Sequence, residues 1–286
     1  MENSKHLLTK LLQSQLSPIQ YSQFSEQLQA LIDDFSMNKL FLNFARLPRQ
    51  MGSSPIDCTN LHFEVLCQQY ELVSDTPWGV DTYARILLLL HIPAAELDAA
   101  VQKIYATSSM AELQVLMRAF HFFEQPANFQ QYVAEGIRTN MVDVFDAIAL
   151  GNPYAAKYLS DAQWNQMVLK AIFMNRPLYL IQGLRQRMNP ELTRILRDFI
   201  HERWSAGRTV SPEVWQIMGS YLNEELLADL QKAMEGGDAL ARESIVLAVQ
   251  ESNYQPAKEW ISQQLANTNA QLSWEDIGKR YQAEHN

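Results

Sequence analysis

Six side chains between residues 138 and 208 have the chemistry of a binding or catalytic site. Asp143 and Asp146 are three residues apart, so they share one helical face and could hold a divalent metal or supply acid–base groups. The alternatives are a solvated helix face, which is commoner for acidic pairs, or pairing with basic residues elsewhere. The other four are Arg138, Asn165, Arg203 and Arg208. Guanidinium and amide groups are typical of sites that hold anionic ligands.

Arg203 lies on the apolar face of a predicted helix that begins at Pro190. Successive residues of a helix lie about 100° apart around its axis, and this spacing places Leu196 and Ile200 on the same face as Arg203. A guanidinium there must find a carboxylate, backbone carbonyls or a ligand. Alternatively, it extends beyond the helix end, where its charge suits the helix dipole.

Asn165 lies on a predicted helix over residues 161–174, which is apolar nearly all round and is expected at the buried centre of the fold. A buried amide needs partners for both its oxygen and its nitrogen. Asn165 therefore either braces a neighbouring loop or contacts a ligand. Another helix is predicted over residues 137–150, with Met141 on its buried face and the two aspartates opposite.

Basic residues are concentrated in the same part of the chain. The whole protein has 32 acidic and 23 basic residues, a net charge of -9. This excludes a general nucleic-acid binder, which needs a basic surface to displace counterions from phosphates. Between Lys170 and Arg208, however, eight basic residues face three acidic ones, a balance of +5. This basic island indicates an anionic partner or ligand, unless its arginines pair with acids on neighbouring helices.

No known catalytic or metal-binding motif accompanies these residues. His201-Glu202 does not begin a zincin motif, because Ser205 stands where the second histidine would be needed. Cys58 and Cys67 lack the spacing of a metal pair, so no cofactor is expected. Two sparse cysteines are typical of a reducing compartment, and no apolar run approaches the roughly 20 residues of a membrane span. We therefore expect a cytoplasmic protein without a membrane span.

Helical periodicity predicts an all-α protein. Apolar residues recur at helical spacing, and the alternation typical of strands is absent. One stripe is expected to run from Phe24 towards Phe44 and to stop at Pro48. Gly207 and the Ser211-Pro212 pair are predicted to end one helix and begin the next.

A weak internal repeat indicates how the helices are arranged. Residues 116–120, 144–148 and 168–172 each form a short apolar segment followed by a proline, and a helical pair flanks the turn at 236–238. Such spacing predicts stacked antiparallel helical pairs, in either a HEAT-like α-solenoid or an irregular helical bundle. We divide the chain into an N-terminal helical region (1–76) and a helical-repeat domain (77–286), packed as one continuous unit.

Several phrases in the central segment resemble the EboA-like family. They are Arg-Thr-Asn-Met (138–141), Val-Phe-Asp-Ala-Ile-Ala (144–149), Asn-Pro-Tyr (152–154), Trp-Asn-Gln-Met-Val-Leu-Lys-Ala (164–171), Asn-Pro-Glu-Leu (189–192) and His-Glu-Arg-Trp-Ser-Ala-Gly-Arg (201–208). The resemblance is strongest over 135–220 and extends weakly to Trp78. It implies a role in making or exporting a small secondary metabolite, within bacterial gene clusters that also encode a membrane prenyltransferase. It carries over no catalytic residues.

These observations lead to three functional hypotheses. The first is a non-enzymatic accessory protein that engages a partner protein of the same cluster or a small anionic metabolite. The second is an enzyme acting on a small anionic or prenylated metabolite, with Asp143 and Asp146 as metal ligands or acid–base groups and Arg203 as an anion clamp. The third is a scaffold without a ligand. The enzyme requires these three residues to face one pocket, whereas a binding protein requires a concave site lined by arginines and Asn165.

Overall fold

The regular structure is helical throughout the part of the chain that is described. The computed structural model describes residues 2–74, 77–264 and 272–285, and these contain 17 α-helices and one isolated β-bridge between Pro55 and Gly79. The all-α prediction is therefore confirmed. By packing, the chain divides into two units, residues 1–159 and 160–286. Our predicted boundary at residue 76 lies outside the described residues and remains a prediction.

The first unit is organised around one buried helix. Its helices are α1 (Glu2–Gln15), α2 (Pro18–Asp33), α3 (Met37–Met51), α4 (Leu61–Tyr70), α5 (Val80–Leu90), α6 (Leu97–Thr107), α7 (Met110–Ala119), α8 (Gln130–Arg138), α9 (Val142–Ala149) and α10 (Tyr154–Tyr158). Every residue of α5 is buried, because α1, α3 and α7 all pack against it. The core thus encloses two charged residues of α5, Asp81 and Arg85.

The prediction that Pro48 ends its helix is wrong. Helix α3 continues to Met51, and a separate helix α2 precedes it. A proline inside a helix lacks the N–H that would bond to the carbonyl four residues earlier. Here that carbonyl belongs to Phe44, and the Arg85 Nε donates to it at 2.8 Å. The buried arginine replaces the missing backbone donor, so the helix tolerates the proline.

The predicted helix over residues 137–150 is two helices. Helix α8 ends at Arg138 and α9 begins at Val142. Thr139 is extended, and its hydroxyl accepts a hydrogen bond from the Met141 N–H at 3.2 Å. Such side-chain bonds compete with helical ones and favour a turn. Met141 is consequently exposed rather than buried.

The second unit holds α11 (Asp161–Phe173), α12 (Pro190–Ser205), α13 (Trp215–Gly219), α14 (Glu224–Gly236), α15 (Ala239–Glu251), α16 (Gln255–Gln264) and α17 (Trp274–His285). Side chains close in the sequence determine where its first two helices begin. Ser160 forms a capping box with Gln163, and Asn189 caps α12 ahead of Pro190. These side chains satisfy N–H groups that have no helical partner. In the described ranges, no helix has the length and apolar character needed to cross a bilayer.

Candidate functional site

The C-terminal end of α12 turns the chain back over its own last turn. Gly207 has a left-handed backbone, with φ 67°. Its N–H donates to the Trp204 carbonyl at 3.0 Å, and the Arg208 N–H donates to the Arg203 carbonyl at 2.9 Å. This is a Schellman motif, and glycine suits it because it has no Cβ to clash at positive φ. The expected role of Gly207 as a helix end is confirmed.

This turn gives Arg203 its partner. The guanidinium donates through Nε (3.1 Å) and Nη2 (2.9 Å) to the carbonyl oxygen of Thr209, which the turn has brought back over the helix. Of the partners expected for Arg203, the structure therefore shows a backbone carbonyl. Both bonds use one edge of the guanidinium, so the Nη1 side keeps donors that these bonds do not use.

A cavity of about 350 Å³ lies beside this turn. Its walls come from the ends of α11 and α12, the segment after α12, and one face of α17. The lining side chains used below are Phe173, Phe199, Glu202, Arg203, Arg208, Tyr281 and His285. The volume lies at the lower end of the range for small-molecule sites, about 300–1,000 Å³.

The wall of the cavity is partly aromatic. Phe173, the last residue of α11, is 65% exposed although it is a large apolar side chain. Its ring lies 4.5 Å from that of Phe199, centroid to centroid. On α17, the rings of Tyr281 and His285 are stacked 4.2 Å apart. The cavity therefore joins aromatic surface to the two arginines at the end of α12.

A buried carboxylate supports the α17 wall. Glu213 is 0% exposed and accepts hydrogen bonds from the N–H groups of Leu178 (3.1 Å) and Tyr179 (2.6 Å). Burial raises the pKa of Glu213 from its ordinary 4.5 to about 7, although both bonds favour the charged form. Helix α17 crosses closely here. A Cβ on Gly278 would lie 2.2 Å from the Tyr179 ring and 2.8 Å from a Glu213 oxygen.

Two further interactions connect α17 to the cavity. The Gln282 side-chain amide donates to the carbonyl of Asn175, just beyond the end of α11, at 3.2 Å. Burial raises the pKa of the Tyr281 phenol, while the nearby charge of Arg203 opposes that shift. Tyr281 therefore lies within electrostatic range of the arginine, and α17 belongs to the site.

Most arginines of the basic island pair with acids inside the second unit. The pairs are Arg185–Glu251 (3.0 Å), Arg187–Asp161 (2.6 Å), Arg194–Glu191 (2.8 Å), Arg194–Asp198 (3.2 Å) and Arg197–Asp229 (2.7 Å). For these four arginines, the structure therefore shows the predicted alternative in which basic residues of the island pair with acids. Arg203 and Arg208 differ, since neither has a carboxylate partner within the described ranges. Both line the cavity.

Asn165 is buried and forms a reciprocal amide pair. It donates to the Asn189 side-chain oxygen at 3.1 Å and accepts from its nitrogen at 2.8 Å. The same Asn189 oxygen accepts from the Leu192 N–H at 2.9 Å and caps α12. These contacts favour the bracing alternative, because Asn165 orients the cap of the helix that carries Arg203. The described residues that line the cavity do not include Asn165.

The other three predicted site residues belong to the first unit. Arg138 is exposed in the last turn of α8, and Asp143 is exposed in the first turn of α9. Asp146 is half-buried, and its charge acts on Arg118, whose pKa is lowered by burial. No group of three or more His, Cys, Asp or Glu residues in the described ranges could hold a metal ion.

Sequence reasoning missed Glu213, which supports the α17 wall, and five side chains that line the cavity: Phe173, Phe199, Glu202, Tyr281 and His285. Tyr281 and His285 are four residues apart, which placed them on one helical face, but nothing indicated which helix that face would meet. Glu213 follows Ser211-Pro212 and looks like an ordinary acidic residue of a first helical turn. Its burial depends on α17, which begins about 60 residues later in the chain.

The fold and this cavity define an all-α protein with a concave site of small-molecule size. The chain belongs to the EboA family. The family model, described as "Metabolite traffic protein EboA", matches residues 4–219. The match reaches further towards the N-terminus than the motifs predicted, and it includes all six predicted site residues but not α17. Searches of curated proteins and of solved structures found no significant match.

Proposed function

We propose that this chain is a non-enzymatic accessory protein that binds a small anionic metabolite in the cavity at the end of α12, during biosynthesis or export of that metabolite. In this proposal the ligand is held and released unchanged, and a partner protein of the same gene cluster supplies or receives it. A cytoplasmic location, as expected from the sequence, is part of the proposal.

One observation carries the proposal. Arg203 and Arg208 line the cavity and have no carboxylate partner among the described residues, whereas four other arginines of the same unit each have one. Arg203 is half-buried beside an apolar wall and has lost part of its hydration, so an anion that accepts its hydrogen bonds is stabilised there. The family description, a metabolite traffic protein, supports the same conclusion.

Native mass spectrometry of the full chain, purified from its own host, tests the proposal. We expect the wild-type protein to carry a small-molecule mass and Arg208→Ala to lose most of it. Arg194→Ala is the matched control, because Arg194 lies on α12, the helix that precedes Arg208, but pairs with Glu191 and Asp198 away from the cavity. The released molecule should have the same mass after incubation with the protein. Absence of any bound small molecule in the wild type, or its conversion into product, would contradict the proposal.

A further inference from the structure

We infer that the cavity selects a monocarboxylate with an apolar body, and that Glu202 is the residue that excludes ligands of higher negative charge. The inference rests on the proposed function and goes further by naming the class of ligand. Four features support it: the orientation of Arg203, the negative groups around the cavity, its aromatic wall and its size.

Arg203 is already oriented for a single planar acceptor. Its Nε and Nη2 are bound to the Thr209 carbonyl, which holds the guanidinium plane in place. The donors left on the Nη1 side can meet a carboxylate, whose two oxygens match guanidinium geometry. Arg208 is exposed and lines the same cavity, so it can approach the same head group. An orientation formed in advance reduces the entropy lost on binding.

The charges around the cavity nearly balance. Glu202 lines it together with Arg203 and Arg208, and Glu202 has no cationic partner among the described residues. His285 donates from Nδ1 to the Tyr281 carbonyl, 2.9 Å away, because a carbonyl oxygen can only accept. The two guanidinium groups and the one carboxylate give a formal sum of +1.

Two helix ends reduce the positive potential further. The cavity lies at the C-termini of both α11 and α12, and a helix C-terminus carries roughly half a negative charge. The two arginines therefore supply enough positive charge at close range to stabilise one carboxylate. A phosphate or diphosphate would place its additional charge against Glu202 and the helix ends.

The remaining wall suits an apolar body of limited size. Phe173 and Phe199 present a ring pair, and most of the Phe173 surface is open to solvent. Covering such surface stabilises a complex by roughly 25 cal/mol for each Å² removed from water. A volume of about 350 Å³ accommodates a compact body and leaves little room for a long polyisoprenoid chain.

Calorimetric titration of the full chain with three probes tests the ligand class. The probes are octanoate, 1-octanol and octyl phosphate, used at pH 8, where a phosphate monoester is largely dianionic because its second pKa is about 6. We expect octanoate to bind at least about tenfold more tightly than either other probe, and Arg208→Ala to remove most of that preference. Equal binding of octanol, tighter binding of octyl phosphate, or no binding of octanoate would each overturn the inference.

The variant Glu202→Gln tests whether Glu202 excludes ligands of higher negative charge. Coulomb energy scales with ligand charge, so the gain in affinity for a dianion should be the square of the gain for a monoanion. At about 20 mM salt, where screening is weak, we expect roughly threefold for octanoate and ninefold for octyl phosphate. Glu224→Gln is the matched control, since it removes the same charge from an exposed position outside the cavity. Equal gains for both anions, or equal effects of the two variants, would exclude Glu202 as the selecting residue.

The outcomes separate the inference from the proposed function. If native mass spectrometry of the host-purified protein finds a bound phosphorylated metabolite, the proposed function stands and the monocarboxylate inference is wrong. If no bound metabolite is found and octanoate also fails to bind, both are wrong.

Discussion

Two arginines, Arg85 in the first unit and Arg203 in the second, are satisfied by different kinds of partner. In the first unit, Arg85 is 5% exposed, lies 3.5 Å from the buried Asp81 and donates to the Phe44 carbonyl, so its charge has a partner inside the core. In the second unit, the buried Glu213 and the half-buried Arg203 both use backbone groups instead. A carbonyl can hold a guanidinium in place without neutralising it. Arg203 therefore remains available to an anion, whereas Arg85 does not.

The largest expected effect tests the first half of this comparison. Arg85→Met should lower the free energy of unfolding by about 3–5 kcal/mol, because it leaves the buried Asp81 carboxylate without its cation. Arg203→Met should cost less, about 1–2 kcal/mol, because its two hydrogen bonds share one backbone acceptor and no buried charge is left unpaired. Urea titration measures both. Adding Asp81→Asn to Arg85→Met should recover part of the loss, and equal losses in the two single variants would break the comparison.

The pH dependence of stability tests the buried carboxylate of the second unit. The pKa of Glu213 is about 7 in the folded protein and 4.5 ordinarily, so the folded state binds the proton more tightly. Its contribution is complete below pH 4.5 and is lost as the pH rises to about 7, a loss of about 3 kcal/mol. Glu213→Gln should remove this slope between pH 4.5 and 7 in urea titrations. A slope that is unchanged in the variant would show that another group titrates.

The close packing of α17 gives the next largest effect. Gly278→Ala places a Cβ against the Tyr179 ring and the Glu213 carboxylate, and overpacking of this kind costs about 1–3 kcal/mol. It should also weaken octanoate binding, because α17 carries Tyr281. Gly236→Ala is the control, since a Cβ there meets no atom within 4 Å. Calorimetric melting of the two variants measures the difference, and equal melting temperatures would argue against this packing.

The smallest expected effect concerns the turn that positions Arg208. Gly207→Ala places a Cβ at φ 67° and should cost about 1–2 kcal/mol. Gly207→Asn should cost less, because asparagine tolerates the left-handed region. If the turn places Arg208 at the cavity, alanine should also weaken octanoate binding more than asparagine does. Titration and thermal melting together separate the two effects.

The sequence alone determined the helical class, the family and the end of α12 at Gly207. Ser160, Asn189 and Gly207 act on backbone groups within four residues of themselves, so local spacing is sufficient to predict them. The Arg194–Asp198 pair was predictable for the same reason. The importance of Arg203 also followed from helical spacing, since an arginine on an apolar face requires a partner.

Only the tertiary structure decided which residues form the cavity. Glu213 meets the N–H groups of residues 178 and 179, and Gln282 meets Asn175, 107 positions away in the chain. Asn165 is satisfied by Asn189, and four arginines of the basic island are paired with acids inside the second unit. Periodicity predicts that a face is buried but not what covers it, because burial and long-range charge pairing depend on the path of the whole chain. For that reason the sequence identified Arg203 and Arg208, and the tertiary structure supplied the aromatic wall and α17 that complete their site.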